Sequence, residues 1–267
     1  MKNKEEFYKT FTKRNIGILT WREQLKIKNK RVAILGCGGG SEVARQLVGS
    51  GFTNYILADY DNVELHNLNR QFFFQEDIRS NKAVALAKNM KMINPNLNIR
   101  VIPRKVEIKD VASIVNKSDI IIDAMPPEES LKQELQINRV IRLYDDKYHI
   151  YFLDIVWGAK AMVFSNKSQT LECLMGLDDG CSLNCVDSLS LEVLTKPYMY
   201  RASKEMKRVG TMMYKRELNY FPQMSITISL ASSMVSTLCI YLSIGKNVKV
   251  APEVYSVDFY KQFTGNQ

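Results

Sequence analysis

Short apolar runs alternate with amphipathic stretches through the first half of the chain. Residues 31–36, Arg-Val-Ala-Ile-Leu-Gly, read as a buried strand that ends at glycine. Residues 41–51 follow as a helix, with Val43, Ala44, Leu47 and Val48 on one face. Tyr55 to Asp59 make a second buried strand. A helix is predicted from Lys82 to Ile93, stopped by Asn94-Pro95, and a strand from Ile99 to Pro103. Val111 to Val115 fit a short helix and Ile120 to Asp123 a fourth strand. This alternation predicts a parallel sheet with right-handed crossovers.

Beyond Asp123 the pattern loosens. Leu131 to Ile141 reads as a helix, and Ile150–Val156 and Lys160–Phe164 as strands. Residues 165–222 show no clean period and read as a crossover loop or insertion. Residues 224–244 carry no charge and are long enough to span a bilayer. Eight of those 21 residues are Ser or Thr, which favours a buried or dimer-interface helix over a membrane span. The organisation that follows is an amino-terminal helical arm (1–30), an α/β core (31–164), the insertion (165–222), and a helix and strand (223–267) completing the same domain.

Composition narrows the class. Hydrophobic residues are 46% and charged residues 24%, which excludes a disordered chain. Five cysteines in 267 residues exclude a disulfide scaffold and point to a reduced, cytoplasmic setting. The first 20 residues hold no long apolar run, so no signal peptide is expected. The net charge is +9, and residues 1–31 hold ten Lys/Arg against three Glu. No nucleic-acid motif accompanies that charge, so it reads as a solvated helical arm.

The chemistry concentrates after the first two strands. Gly36-Cys37-Gly38-Gly39-Gly40-Ser41 joins a strand to a helix, the setting of a phosphate-binding turn. Gly36 permits the turn, and Gly38 and Gly39 let amides approach phosphate; Ser41 stands where the dinucleotide fingerprint has its third glycine. Asp59 lies 23 residues after Gly36, where a carboxylate can accept ribose hydroxyls. The stretch from Asp59 and Asp61 to Gln71 packs acids, amides and one arginine into a loop. Hydride transfer has no use for that density, and triphosphate cleavage does. Arg70 suits developing phosphate charge, Asn67 and Asn69 suit phosphate positioning, and Lys82 opens the next helix within reach of a phosphate.

Gly36-x-Gly38-Gly39, Asp59-x-Asp61, Asn67-Leu68-Asn69-Arg70-Gln71, Lys82, Ile93-Asn94-Pro95 and Ile120-Ile-Ile-Asp123 together resemble the ThiF/MoeB/HesA superfamily, relatives of ubiquitin-activating enzymes. The resemblance covers residues 14–164 and, more weakly, the rest. Arg14-Asn15-Ile-Gly17-Ile-Leu-Thr20-x-x-Glu23-Gln24 resembles a stand-alone bacterial branch. The resemblance implies a Rossmann-like, mostly parallel sheet flanked by helices, with ATP and Mg2+ at the carboxyl ends of the strands. It implies attack of a carboxylate on the α-phosphate of ATP, giving an acyl-adenylate and pyrophosphate. The acid in such proteins is often the carboxyl terminus of a carrier protein or peptide. Carried over, Asp59 binds ribose, while Asn67, Arg70 and Lys82 hold the triphosphate. Gly36, Gly38, Gly39, Ser41, Asp61, Asn69 and Asp123 complete the nucleotide site. Arg14 resembles an arginine that enters the partner's site in a homodimer.

Two features depart from that pattern. The family has a second aspartate three residues after the first, which organises magnesium; here the sequence is Asp123-Ala-Met-Pro126. Glu128 or Glu129 is the available substitute, and a non-catalytic nucleotide-binding or partner-binding protein is the alternative reading. The chain has no Cys-x-x-Cys pair, so Cys173, Cys181 and Cys185 do not form a structural zinc signature, and no residue is assigned as a metal ligand. Cys185 is the best placed for a thioester, against a reading of all three as ordinary loop or core cysteines. Cys37 and Cys239 read as packing residues, and His66 and His149 as surface or loop residues.

Overall fold

Strand β1 (Arg31–Leu35) buries its last four residues, Val-Ala-Ile-Leu, and occupies an inner position in a seven-stranded sheet. The computed structural model describes residues 3–189, 203–215, 217–218 and 220–264. The strand order is β3-β2-β1-β4-β5-β6-β7, with β2 at Asn54–Ala58, β3 at Asn98–Ile102, β4 at Ile120–Asp123, β5 at Tyr148–Ile155, β6 at Gly158–Phe164 and β7 at Tyr255–Asp258. The first five strands run parallel, and β6 and β7 pair antiparallel. Helices cover both faces, so the central strands are apolar on both sides rather than alternating.

One core lies between the sheet face of Val32, Ile34, Tyr55, Leu57 and Phe152 and helices α3 (Gly40–Ser50), α4 (Lys82–Ile93) and Ser225–Ile244. The other lies beneath α5 (Ile108–Asn116), α6 (Pro127–Ile141) and α7 (Leu171–Met175). The uncharged helix Ser225–Ile244 is long and apolar enough to cross a membrane, yet Ala231, Val235, Leu238, Cys239 and Leu242 are buried on the first core.

Helix α5 begins at Ile108, three residues earlier than its apolar run predicts, because Asp110 accepts the Glu107 amide at 2.9 Å and closes the first turn. Helix α6 begins at Pro127, whose fixed φ suits a first helical turn. The insertion contains α7, a 3-10 turn at Leu183–Ser188 and a helix at Lys204–Tyr214; its residues 190–202 lie outside the described chain. His149 is neither surface nor loop: β5 starts at Tyr148, and pairing with β4 buries the imidazole completely.

The amino-terminal arm folds as α1 (Lys4–Phe11), a 3-10 turn at Lys13–Asn15 and α2 (Trp21–Asn29). It is anchored at the carboxyl end of α3. The buried Tyr8 hydroxyl donates to Gly51 O at 2.8 Å, and Asn15 Nδ2 donates to Ser50 O at 3.1 Å. Ile18 is 88% exposed beyond this anchor.

Candidate active site

Register places the site. Leu35 pairs with Ala58 on one side and Asp123 on the other, so Gly36, Asp59 and Ala124 leave the sheet at the same edge. The chain turns outward in opposite directions from β1 to β2 and from β3 to β4, which opens a crevice there. Gly36 has φ +87°, and a Cβ on it would lie 2.4 Å from Ala124 O, so the turn admits no side chain. The positive end of α3 follows directly. A Cβ on Gly38 would meet only the Gln71 side-chain amide, at 3.2 Å.

Asp59 holds the turn from below. Its Oδ2 accepts the Cys37 amide at 2.7 Å and its Oδ1 the Asp61 amide at 2.8 Å. Burial pushes its carboxyl above the usual carboxylate range, against those two bonds and the Lys82 charge. Ser41 is more than a tolerated replacement for glycine. Its hydroxyl donates to Gly38 O at 2.7 Å and accepts the Phe72 amide at 2.9 Å, tying the turn to the loop that carries Arg70.

That loop is braced by its own amides. Asn67 is buried and its Oδ1 accepts the Glu64 amide at 2.9 Å. Arg70 Nη1 donates to His66 O at 2.8 Å and to Asn69 Oδ1 at 2.9 Å, and Arg70 Nε donates to Gln223 Oε1 at 2.9 Å. Buried Asp77 fixes the loop's far end, accepting Phe74 N at 2.9 Å, Asn89 Nδ2 at 2.7 Å and Lys88 Nζ at 2.8 Å. Lys82 is buried at the first position of α4, and its ammonium pairs with the Asp61 carboxylate. Burial works to raise the Asp61 carboxyl, but the Lys82 hydrogen bond and charge outweigh it and hold it below the usual range.

Asp123 is fully buried at the end of β4. Its Oδ1 accepts the Met125 amide at 3.0 Å; its Oδ2 has no hydrogen-bond partner among the described residues, with His149 Nε2 3.4 Å away. Mg2+ keeps waters and phosphate oxygens and asks for only one or two protein carboxylates, so this free oxygen fits such an ion. Pro126 is exposed and offers no ligand. Glu129 is engaged elsewhere: it accepts the Tyr60 hydroxyl at 2.9 Å and faces Lys105 at 3.8 Å. The Glu128 side chain lies outside the described residues, as does that of Cys185. Among the described residues no cluster of three His, Cys, Asp or Glu side chains forms a metal site.

Arg14 does not join this group within one chain. It is exposed next to Asn15, which is bound to the carboxyl end of α3, whereas the glycine turn sits at the amino end. The helix between them is about 16 Å long at 1.5 Å per residue. Three participants escape a reading of motifs. Asn81 caps α4 by accepting Ala83 N and Val84 N, and its amide donates to Asp59 O at 3.0 Å; an Asn directly before a helix is the signal that reveals it. Gln223 and Asp154 join Arg70 from residues 69 positions apart and carry no local signal.

A doubly wound sheet with an amide-lined turn, an acid after the second strand and cations on the following loop and helix is the arrangement on which α/β proteins of the Rossmann type are built. The ThiF family profile matches residues 12–266, and the chain belongs to that family. It is 42% identical over 85 residues to ubiquitin-like modifier-activating enzyme 5 of Aedes aegypti and 44% over 85 residues to that of Culex quinquefasciatus. Each match covers 32% of this chain and 21% of the relative, so the chain spans about a fifth of those proteins' length. Among solved structures, PaaA superposes with a TM-score of 0.65 at 17% identity, over 96% of this chain and 69% of PaaA. E. coli MccB solved with ATP superposes with a TM-score of 0.62 at 18% identity, covering 88% of this chain and 66% of MccB. MccB solved with MccA gives 0.64 at 18% identity, covering 97% and 71%. At these identities the structural likeness establishes the fold.

Proposed function

We propose that this protein is an ATP-dependent adenylating enzyme that activates the carboxyl terminus of a peptide or carrier protein. The observation that carries the reading is the gathering of the glycine turn, Asp59, the Lys82–Asp61 pair and Arg70 at one edge of the sheet. Asp59 accepts the ribose hydroxyls, and the amides of Gly38 to Gly40 face phosphate oxygens. The acid's oxygen bonds to the α-phosphorus while the bond to the bridging oxygen breaks, and pyrophosphate leaves with that electron pair. Arg70 and Lys82 stabilise the charge that develops. Asp123 would hold Mg2+, which when bound neutralises phosphate charge.

The protein works as a cytoplasmic homodimer in this reading, without nucleic acid or membrane. Two surfaces support the dimer: the Ile16–Ile18 turn of the arm, and the outward face of Ser225–Ile244, where Ile226 and Tyr241, each about half exposed, stand among exposed Ser225, Ser233 and Thr237. Arg14 then serves the partner's triphosphate, a task suited to a guanidinium fork that stays charged. Its seat at the far end of its own α3 is consistent with that assignment. Sedimentation should give twice the 30.7 kDa chain mass, and a stable monomer at micromolar concentration would remove the dimer.

The test is ATP–pyrophosphate exchange with peptides and carrier proteins that end in a free carboxylate. Exchange that depends on the acid supports the reading. ATP binding without exchange favours the second reading, a nucleotide-binding or partner-binding protein on the same fold, for which Pro126 is the observation.

A further inference from the structure

Asp154 lies near the carboxyl end of β5 and is 3% exposed. Its Oδ1 accepts Gln223 Nε2 at 2.8 Å, and Gln223 Oε1 accepts Arg70 Nε at 2.9 Å. The order of atoms in this chain is forced. A carboxylate only accepts and a guanidinium only donates, so the Gln223 amide between them has one allowed orientation. Arg70 therefore commits Nε to Gln223 and both Nη1 hydrogens to His66 O and Asn69 Oδ1. Among the described residues, no hydrogen bond holds Nη2. Three of the five guanidinium donors set its rotation, and two are left for a ligand.

We propose that Gln223 and Asp154 are positioning residues that fix the Arg70 guanidinium so that its Nη2 edge meets the nucleotide's phosphates. The proposal rests on the phosphate role of Arg70 given above. It assigns work to two residues contributed by the second half of the chain. Gln223 lies directly between the insertion and the uncharged helix, so the strap that closes the insertion also sets the arginine. Asp154 supplies the buried negative charge at the end of the relay. The Thr227 hydroxyl, which donates to Met224 O at 2.9 Å, lies 3.4 Å from the other oxygen of Asp154.

A double-mutant cycle tests the relay. Gln223→Leu should lower exchange at saturating ATP about tenfold, the rate equivalent of one hydrogen bond to a charged group. The KM for ATP should stay within about threefold of wild type, because the relay acts through a group used chiefly in the chemical step. Combined with Arg70→Ala, Gln223→Leu should add nothing; losses that multiply would show that Gln223 acts independently of Arg70 and overturn the proposal. A polarity swap guards against misfolding. Gln223→Glu alone sets two carboxylates against each other and should be impaired. Asp154→Asn added to it should restore activity, because an amide then donates to the new carboxylate, which still accepts Arg70 Nε. Failure of that rescue, with thermal melting unchanged, would also overturn the relay. The Arg70 Nε–H signal in an NMR spectrum reads the relay without turnover: it should shift in Gln223→Leu, and an unchanged signal would overturn the proposal. That shift without any exchange in wild type would retire the adenylation reading and keep the relay. No binding of ATP at all would retire both.

Discussion

The two sides of the sheet handle their polar groups differently. From β1 to β4, several polar side chains of the candidate site accept backbone amides within three residues of themselves. Asp59 takes the Asp61 amide, Asn67 the Glu64 amide, and Asn81 the first amides of α4. From β5 to β7, strand direction reverses and the buried polar groups reach across the fold. His149 meets Asp123, and Asp154 meets Gln223 from 69 residues away. The first side is a self-braced cradle. The second side aims and supports it.

The largest effects should fall on the cradle's charges. Arg70→Ala or Lys82→Ala should each lower ATP–pyrophosphate exchange about 100-fold or more, the scale for a lost preorganised charge partner. A loss below threefold at either position, measured with the true acid, would place the chemistry elsewhere. Gly38→Val should abolish ATP binding by titration calorimetry while the fold survives, because the nearest atoms a Cβ would meet belong to the Gln71 side chain at 3.2 Å and the added methyls would stand in the proposed phosphate position. Normal ATP affinity in that variant would move the site away from the turn.

The arm adds a third piece to the comparison. Arg14→Ala and Arg70→Ala, each nearly inactive alone, should regain about a quarter of wild-type exchange when subunits are mixed, since half the dimers are then mixed and each has one complete site. Mixed dimers confirmed by mass but still inactive would confine Arg14 to its own subunit.

Smaller effects distinguish the bracing of the two sides. Asp77→Ala should destabilise the fold by about 2–3 kcal/mol, since it strips the acceptor from the buried Asn89 side-chain amide and from the Phe74 backbone amide. Burial works to raise the Asp77 carboxyl, but Asn89, Lys88 and the Phe74 amide together hold it below the usual range. Its contribution is therefore present above the ordinary carboxylate pKa and lost as pH falls through the depressed value. Denaturant melts should show the wild-type advantage shrinking in acid; an advantage flat from neutral pH to acid would mean that charge is irrelevant there. On the second side, burial pushes the Lys160 ammonium down to about 8 from its ordinary 10.5, against the pull of Asp258. The cost of charging it is fully present below about pH 8 and fades as pH rises toward 10.5. Lys160→Met should be more stable than wild type by roughly 1 kcal/mol at pH 7. That gain should narrow by pH 10, and a gain independent of pH would refer it to packing.

The alternation of apolar runs was enough to specify β1 to β4 and the helices between them, since period and burial are properties of consecutive residues. The turn at Gly36, the acid at Asp59 and the lysine at Lys82 were legible for the same reason: each sits where a strand ends or a helix begins. The ThiF-type spacing of Asn67 to Gln71 named the family without any tertiary information. Tertiary structure alone decided the remainder. The strand order buries His149 beside Asp123, although its neighbours in sequence give no sign of that. Ser41 gains its role only when Phe72 arrives 31 residues later. The arm's anchor at Ser50 sets Arg14 away from its own glycine turn. Asp154 and Gln223 became partners because a buried carboxylate must find donors wherever the packed chain presents them, and sequence distance does not enter that requirement.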